Sequence, residues 1–225
     1  MKLKRVRRYR YATRYIRPIL GNNVVLSAGL ALPFVIGAST SMNNALALTI
    51  AIGIVNIPTM IFASLLGKKI PQWLRLPCYV LLASALVVVS RFAVSWIAPN
   101  IFDSLGIYLT LLAVNTILLV RGKQVIPQYN FYRAALDGVV TTVSFGIVMF
   151  VVSLCRELVG NNTLWGDAIN FPIKLPGALL PAFGFILVGL LAAWAKFFRR
   201  LVIRYNLRKD NPPRTAAKLP EGEVE

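Results

Sequence analysis

Charged side chains are absent between Arg17 and Lys68, and long apolar runs separated by short polar breaks continue from there almost to Lys196. The runs lie at about 21–39, 44–66, 76–97, 104–120, 132–155 and 176–197. At 1.5 Å of rise per residue, the longer ones cross a hydrocarbon core of about 30 Å. The pattern predicts an all-α integral membrane protein with six transmembrane helices. The first run is barely long enough and contains Pro33 and Gly37, so it is expected to be bent or broken. Asn56 and Pro58 predict the same for the second run. Broken helices persist in a membrane where protein or a cavity satisfies the freed backbone groups.

The segments between the runs set the orientation. Lys68, Lys69 and Arg75 separate runs two and three, Arg121, Lys123 and Arg133 flank the next basic loop, and Lys196 to Lys209 follow run six. The intervening loops, STSMNN, the region around Pro99-Asn100 and GNNTLWGDAINFPIK, hold one basic residue, Lys174. Basic segments therefore fall on one side, which predicts an N-in/C-in topology with both termini cytoplasmic. Trp96 and Trp165 then mark the outer interface, and Trp73 and Trp194 the inner one. The expected organisation is a basic cytoplasmic segment at 1–20, a membrane domain at 21–198, and a basic, then disordered, cytoplasmic tail at 199–225. ASLLGKK at 63–69 parallels VSLCREL at 152–158, and LPCYVLLASALVVV at 76–89 parallels LPGALLPAFGFILV at 175–188. Three crossings per half is an odd number, so the halves, about 21–98 and 104–198, read as two inverted three-helix repeats.

Composition narrows the function classes. With 225 residues, 57% of them hydrophobic, the chain is too apolar for a soluble domain. A formal charge of +17 could suggest nucleic acid, but the basic blocks flank apolar spans. Anionic lipid is the expected partner, and nucleic acid is not. The chain has two cysteines and no histidine, so a His/Cys/carboxylate metal site has almost nothing to be built from. Cys78 and Cys155 fall at opposite faces and read as buried structural residues.

A few polar residues stand out within the spans. Asn115-Thr116 interrupts LGIYLTLLAVNTILLVR, where an Asn amide serves either as an interhelical contact or as part of a site. Arg91 lies well inside the third run, and an intramembrane arginine either pairs with an acid or snorkels to the interface. Asp103 and Glu157 are the acids at its expected depth. Asn56, Arg91, Asp103 and Glu157 form the candidate ion pathway or internal charge set.

LGIYLTLLAVN resembles the fourth helix of the D/E-type membrane subunits of the Rnf and Na+-pumping NADH:quinone oxidoreductase (Nqr) complexes. NNVVL at 22–26, ALDGV at 135–139, RELVGNNTLWG at 156–166 and LPGALLPAFGFILVGLLAAW at 175–194 resemble further segments of that family in the same order. The resemblance implies the membrane core of an ion-translocating electron transport complex in a prokaryotic cytoplasmic membrane. Such a complex couples electron flow between NADH and ferredoxin or quinone to Na+ or H+ movement. The implied partners are a homologous membrane subunit of opposite topology and subunits carrying flavins and other clusters. In the family, cysteines of the first and fourth helices of the two subunits hold a shared [2Fe-2S] cluster. Here those slots align with Pro33 (Leu32 with a one-residue slip) and Thr116, beside Asn115, so no cofactor is expected in this chain. Arg91 stands where the family usually has an acid. Two other readings fit the same spans, a stand-alone inverted-repeat secondary transporter and a purely structural assembly subunit.

Overall fold

The computed structural model describes residues 23–67, 69–97, 99–124, 129–169 and 175–210. The segment expected at 1–20 and the tail beyond 210 lie outside the described residues. Among the described residues the helices are, in order, α1 (Val24–Ala28), α2 (Leu32–Ala38), α3 (Met42–Leu66), α4 (Gln72–Ile97), α5 (Pro99–Leu111), α6 (Thr116–Gln124), α7 (Phe131–Asn161) and α8 (Pro181–Asp210). Short 3₁₀ turns at Leu112–Val114 and Pro176–Leu179 lead into α6 and α8. Among the described residues, five stretches are long and apolar enough to cross a membrane: α3, α4, the α5–α6 pair, α7 and α8.

The centre of the fold is the antiparallel pair α3 and α7. Their backbones approach closely because small residues face across the contact. A Cβ on Gly146 would lie 2.7 Å from Thr49 Cγ2, and one on Gly138 would lie 3.2 Å from Ile57 Cα. Close backbone approach of this kind is what holds helices together where lipid offers no hydrophobic gain. The remaining spans pack reciprocally. The α5–α6 pair lies against α3 and α4 of the first half, while α1 and α2 lie against α7 and α8 of the second. Each half thus lends its first span to the other half.

The two broken spans run in opposite directions. The C-terminal end of α2 is held by Arg156 near the end of α7, through Ile36 O. The C-terminal end of α6 is held by Asp137 near the start of α7, through Arg121. Nineteen residues of α7 separate the two holding points, about 28 Å of rise and close to the hydrocarbon thickness. The inversion expected from the odd number of crossings is therefore built around α7. Lys69, Arg75, Arg121 and Arg133 gather at the Asp137 end, here termed the basic face. Arg91, Arg156 and Glu157 lie toward the opposite face.

Three spans differ from their expected form. Pro58 does not break the second span, since α3 is continuous from Met42 to Leu66. The fourth span is the one that breaks, at Asn115, where the backbone turns extended (φ −66°, ψ 125°). The sixth begins at Pro181 and continues as helix to Asp210, through part of the expected basic tail. The first span is broken as expected, with left-handed Gly29 (φ 66°) and Ala31 (φ 60°) between α1 and α2. Asn23 reaches Ser144 O, halfway along α7, so α1 and α2 cover about 18 Å of its length. After α7, a two-stranded hairpin pairs Thr163 with Ala168 and Leu164 with Asp167 around Trp165-Gly166.

Candidate functional site

The two breaks meet. Ala31 N–H donates to Thr116 Oγ1 at 2.8 Å, joining residues 85 positions apart. An asparagine caps a helix start in each broken span: Asn115 at the break itself, and Asn23 at the start of α1, ahead of the break at Gly29–Ala31. Asn115 Oδ1 accepts from Ile117 N at 3.0 Å, and Asn23 Oδ1 accepts from Val25 N at 2.9 Å. A side-chain acceptor at this position satisfies an amide that the helix cannot, which matters most where water is excluded. Asn115 is buried to 3% exposure, and its role is local: it ends one helical segment and starts the next. Pro33 sits in the first turn of α2, where its missing N–H costs nothing. The structure brings Thr116 to Ala31, two residues before Pro33 and one before Leu32.

Packing fixes the crossing. Ala31 and Leu112 are fully buried, and Tyr108 of α5 lies against Gly37 of α2 so closely that a Cβ there would be 2.5 Å from the ring. Val114, immediately before the break, is 56% exposed, and Ile107 and Leu111 extend this apolar face.

The donor set does not suit a [2Fe-2S] cluster. Such clusters are held by thiolates, and Ala31, Leu32, Pro33 and Thr116 have none to give. The cysteines are far from the crossing and from each other. Cys78 precedes Tyr79, which packs on Gly122 beside Arg121 at the basic face, whereas Cys155 adjoins Arg156 at the other. Among the described residues, no group of three His, Cys, Asp or Glu side chains converges.

Two clamps hold the broken spans in place. Arg156, 1% exposed, donates to Ile36 O (2.6 Å), Ser39 Oγ (2.9 Å), Ala178 O (3.1 Å) and Leu179 O (2.5 Å). Its charge thus faces carbonyls at the end of α2 and in the turn before α8, where helix dipoles favour a cation. Glu157, 2% exposed, accepts from Met42 N (2.5 Å), Gly166 N (3.0 Å) and Thr163 Oγ1 (3.3 Å), tying the start of α3 to the hairpin. At the basic face, Arg121 pairs with Asp137 in a two-pronged contact, with Nε to Oδ2 at 2.8 Å.

Between α3 and α7 lies a buried polar seam. Thr141 and Thr142 donate their hydroxyl protons to backbone carbonyls, including Gly138 O, so only their lone pairs remain for Asn56. Asn56 Nδ2 uses them, at 3.1 and 3.5 Å. Its Oδ1 is left without a partner among the described residues.

Arg91 does not meet Glu157, whose oxygens are committed elsewhere. Its guanidinium lies over the Phe102 ring, 5.3 Å from the centroid. The Asp103 side chain is outside the described residues. The pairing of Arg121 with Asp137 and the carbonyl clamp of Arg156 were not expected from sequence. Asp137 and Arg156 stood in the ALDG and REL motifs and Arg121 at the end of the LGIYLTLLAVNTILLVR run, but nothing there showed what they would touch.

Comparison with known proteins gives a consistent result. The family described as "Rnf-Nqr subunit, membrane protein" matches residues 11–192. The E-type subunit of the ion-translocating oxidoreductase complex of Shewanella oneidensis is 30% identical over 187 residues, covering 76% of this chain and 81% of that protein. The protein of the same name from Shewanella baltica strain OS185 is 29% identical over 214 residues, covering 88% and 89% respectively.

Proposed function

This chain belongs to the Rnf-Nqr subunit family of membrane proteins, and from that premise we propose that it is the E-type member of an ion-translocating oxidoreductase complex. The observation that carries the reading is the crossing of two oppositely directed broken spans at Ala31 and Thr116. In the proposed complex it forms half of a pseudo-symmetric membrane core. The other half is a homologous membrane subunit of opposite topology, seated against the face of Ile107, Leu111 and Val114. Flavins and iron–sulfur clusters reside in other subunits, which pass electrons between NADH and ferredoxin or quinone while Na+ or H+ moves. The complex sits in a prokaryotic cytoplasmic membrane with the basic face toward the cytoplasm.

This chain's part in electron transfer is indirect. Where the family places a ligand pair, a hydrogen bond between Ala31 and Thr116 closes the crossing, and the residues supply no thiolate. We assign Arg156 to holding the broken first span, and Glu157 to fixing the start of α3 against the hairpin. The candidate for the ion route is the seam at Asn56. There an amide oxygen lacks a donor, and Pro58 removes the N–H that Ile54 O would otherwise accept.

Mild purification from the native membrane through a tag on this chain tests the reading. Stoichiometric recovery of a second membrane subunit together with flavin- or cluster-bearing subunits is expected. Recovery of the chain as a monomer with no redox partner would overturn it in favour of a stand-alone transporter.

A further inference from the structure

A groove of about 410 Å³ opens between α4 and α5, lined by Val88, Arg91, Phe92, Ser95 and Phe102. We propose that it holds one anionic phospholipid, with the phosphate on Arg91 and the glycerol and first methylenes along Val88, Phe92 and Phe102. The proposal requires only that the chain span a membrane, and is independent of the complex it serves.

The groove opens to the membrane, since Phe92 at 68% and Trp96 at 90% are among the most exposed side chains of α4. Arg91 precedes the last residue of α4 by six positions, about 9 Å of rise. An arginine side chain spans most of that distance, so its charge reaches the headgroup level while its stem stays in hydrocarbon. Contact with the face of Phe102 holds the guanidinium without using an oxygen acceptor. Among the described residues Arg91 has no ion pair. Ser95 Oγ is spent on Phe92 O at 2.9 Å. The groove therefore offers one unmatched cation among apolar and aromatic walls. Its size decides between the ligands such a cation could take. A single carboxylate from a neighbouring protein would leave most of the groove empty, whereas a phosphodiester head with its glycerol fills it. Guanidinium–phosphate pairing supplies the directional contact.

Native mass spectrometry of the purified protein tests this, with equal amounts of palmitoyl-oleoyl phosphatidylglycerol and phosphatidylcholine supplied as probes. Wild type should retain one phosphatidylglycerol, and Arg91→Gln should retain it about fivefold more weakly. Ser95→Trp fills the groove while leaving the charge, and should lose the same lipid. Lys196→Gln, at the other end of the membrane, should keep it. Equal retention by wild type and both groove variants would overturn the proposal. So would lipid retention that is absent from wild type and appears only in Asp103→Asn, which would assign Arg91 to that acid. Loss of a co-purifying protein rather than a lipid from Arg91→Gln would assign the groove to a protein partner instead.

Discussion

Replacing Arg156 with methionine removes the cation that gathers the end of α2 and the entrance to α8. The change keeps the bulk of the stem but strands Ile36 O, Ala178 O and Leu179 O, together with Ser39 Oγ. Each stranded buried acceptor costs about 1–3 kcal/mol. Removing the buried charge returns part of that, because its desolvation cost disappears as well. A net loss of roughly 3 kcal/mol remains, near the lower end of what breaking a buried charged network costs. For a chain of this length that corresponds to a drop of about 6–12 °C in Tm. Thermal melting in a fixed detergent measures it, with Arg156→Lys as the control. The lysine ammonium has three donors in place of a fork, so it should recover only part of the loss. Hydrogen exchange should rise first at Phe34 and Val35, whose amides bond Ala31 O in α2. If Arg156→Met melts within 2 °C of wild type, the carbonyl clamp is not what holds the broken span (the smallest shift expected being about 6 °C).

Three further outcomes follow from the same contacts. Thr116→Val orphans the Ala31 amide and should cost about 1–3 kcal/mol, while Thr116→Ser should stay near wild type in the same melting assay. Gly37→Ala drives a Cβ to 2.5 Å from the Tyr108 ring and should cost about 1–3 kcal/mol. Adding Tyr108→Leu should restore part of that, and the double variant's melting temperature checks it. Asp137→Asn leaves Arg121 partly buried without its carboxylate. A double-mutant cycle with Arg121→Met should therefore show coupling of at least about 1 kcal/mol.

Hydropathy located the long spans because it reports what must be buried in lipid, but the shape of the broken spans depends on contacts that composition does not carry. Pro58 reads as a breaker, yet it removes a single N–H from a helix whose surroundings are fixed by Thr142 on Gly53 and Ile57 on Gly138. Packing on α7 outweighs one lost backbone bond. The break at Asn115 has the opposite history. An asparagine in an apolar run suggests interhelical glue, and only its use as a helix-start cap reveals the turn. At the first span Pro33 signalled a helix start, whereas Gly37, the other expected breaker, lies inside α2, and the break falls at Gly29 and Ala31. Which residue would face Thr116 was not legible, because Ala31 adopts a left-handed conformation that alanine seldom takes. The charges at the ends of α7 were visible as motifs. Their roles depend on carbonyls contributed by Ile36, Ala178 and Leu179, and a carbonyl leaves no trace in a sequence.

If the crossing of broken spans lies at the core of a larger membrane complex, a homologous membrane protein must close over it. A photo-crosslinking residue at Val114, exposed beside the break, tests this in intact cells, with Leu190 on the distant α8 surface as the comparison site. Light should join the Val114 position to one membrane protein of related sequence, and the Leu190 position should not capture it. Adducts to lipid alone at Val114, in cells where the tagged chain is fully folded, would contradict the assignment.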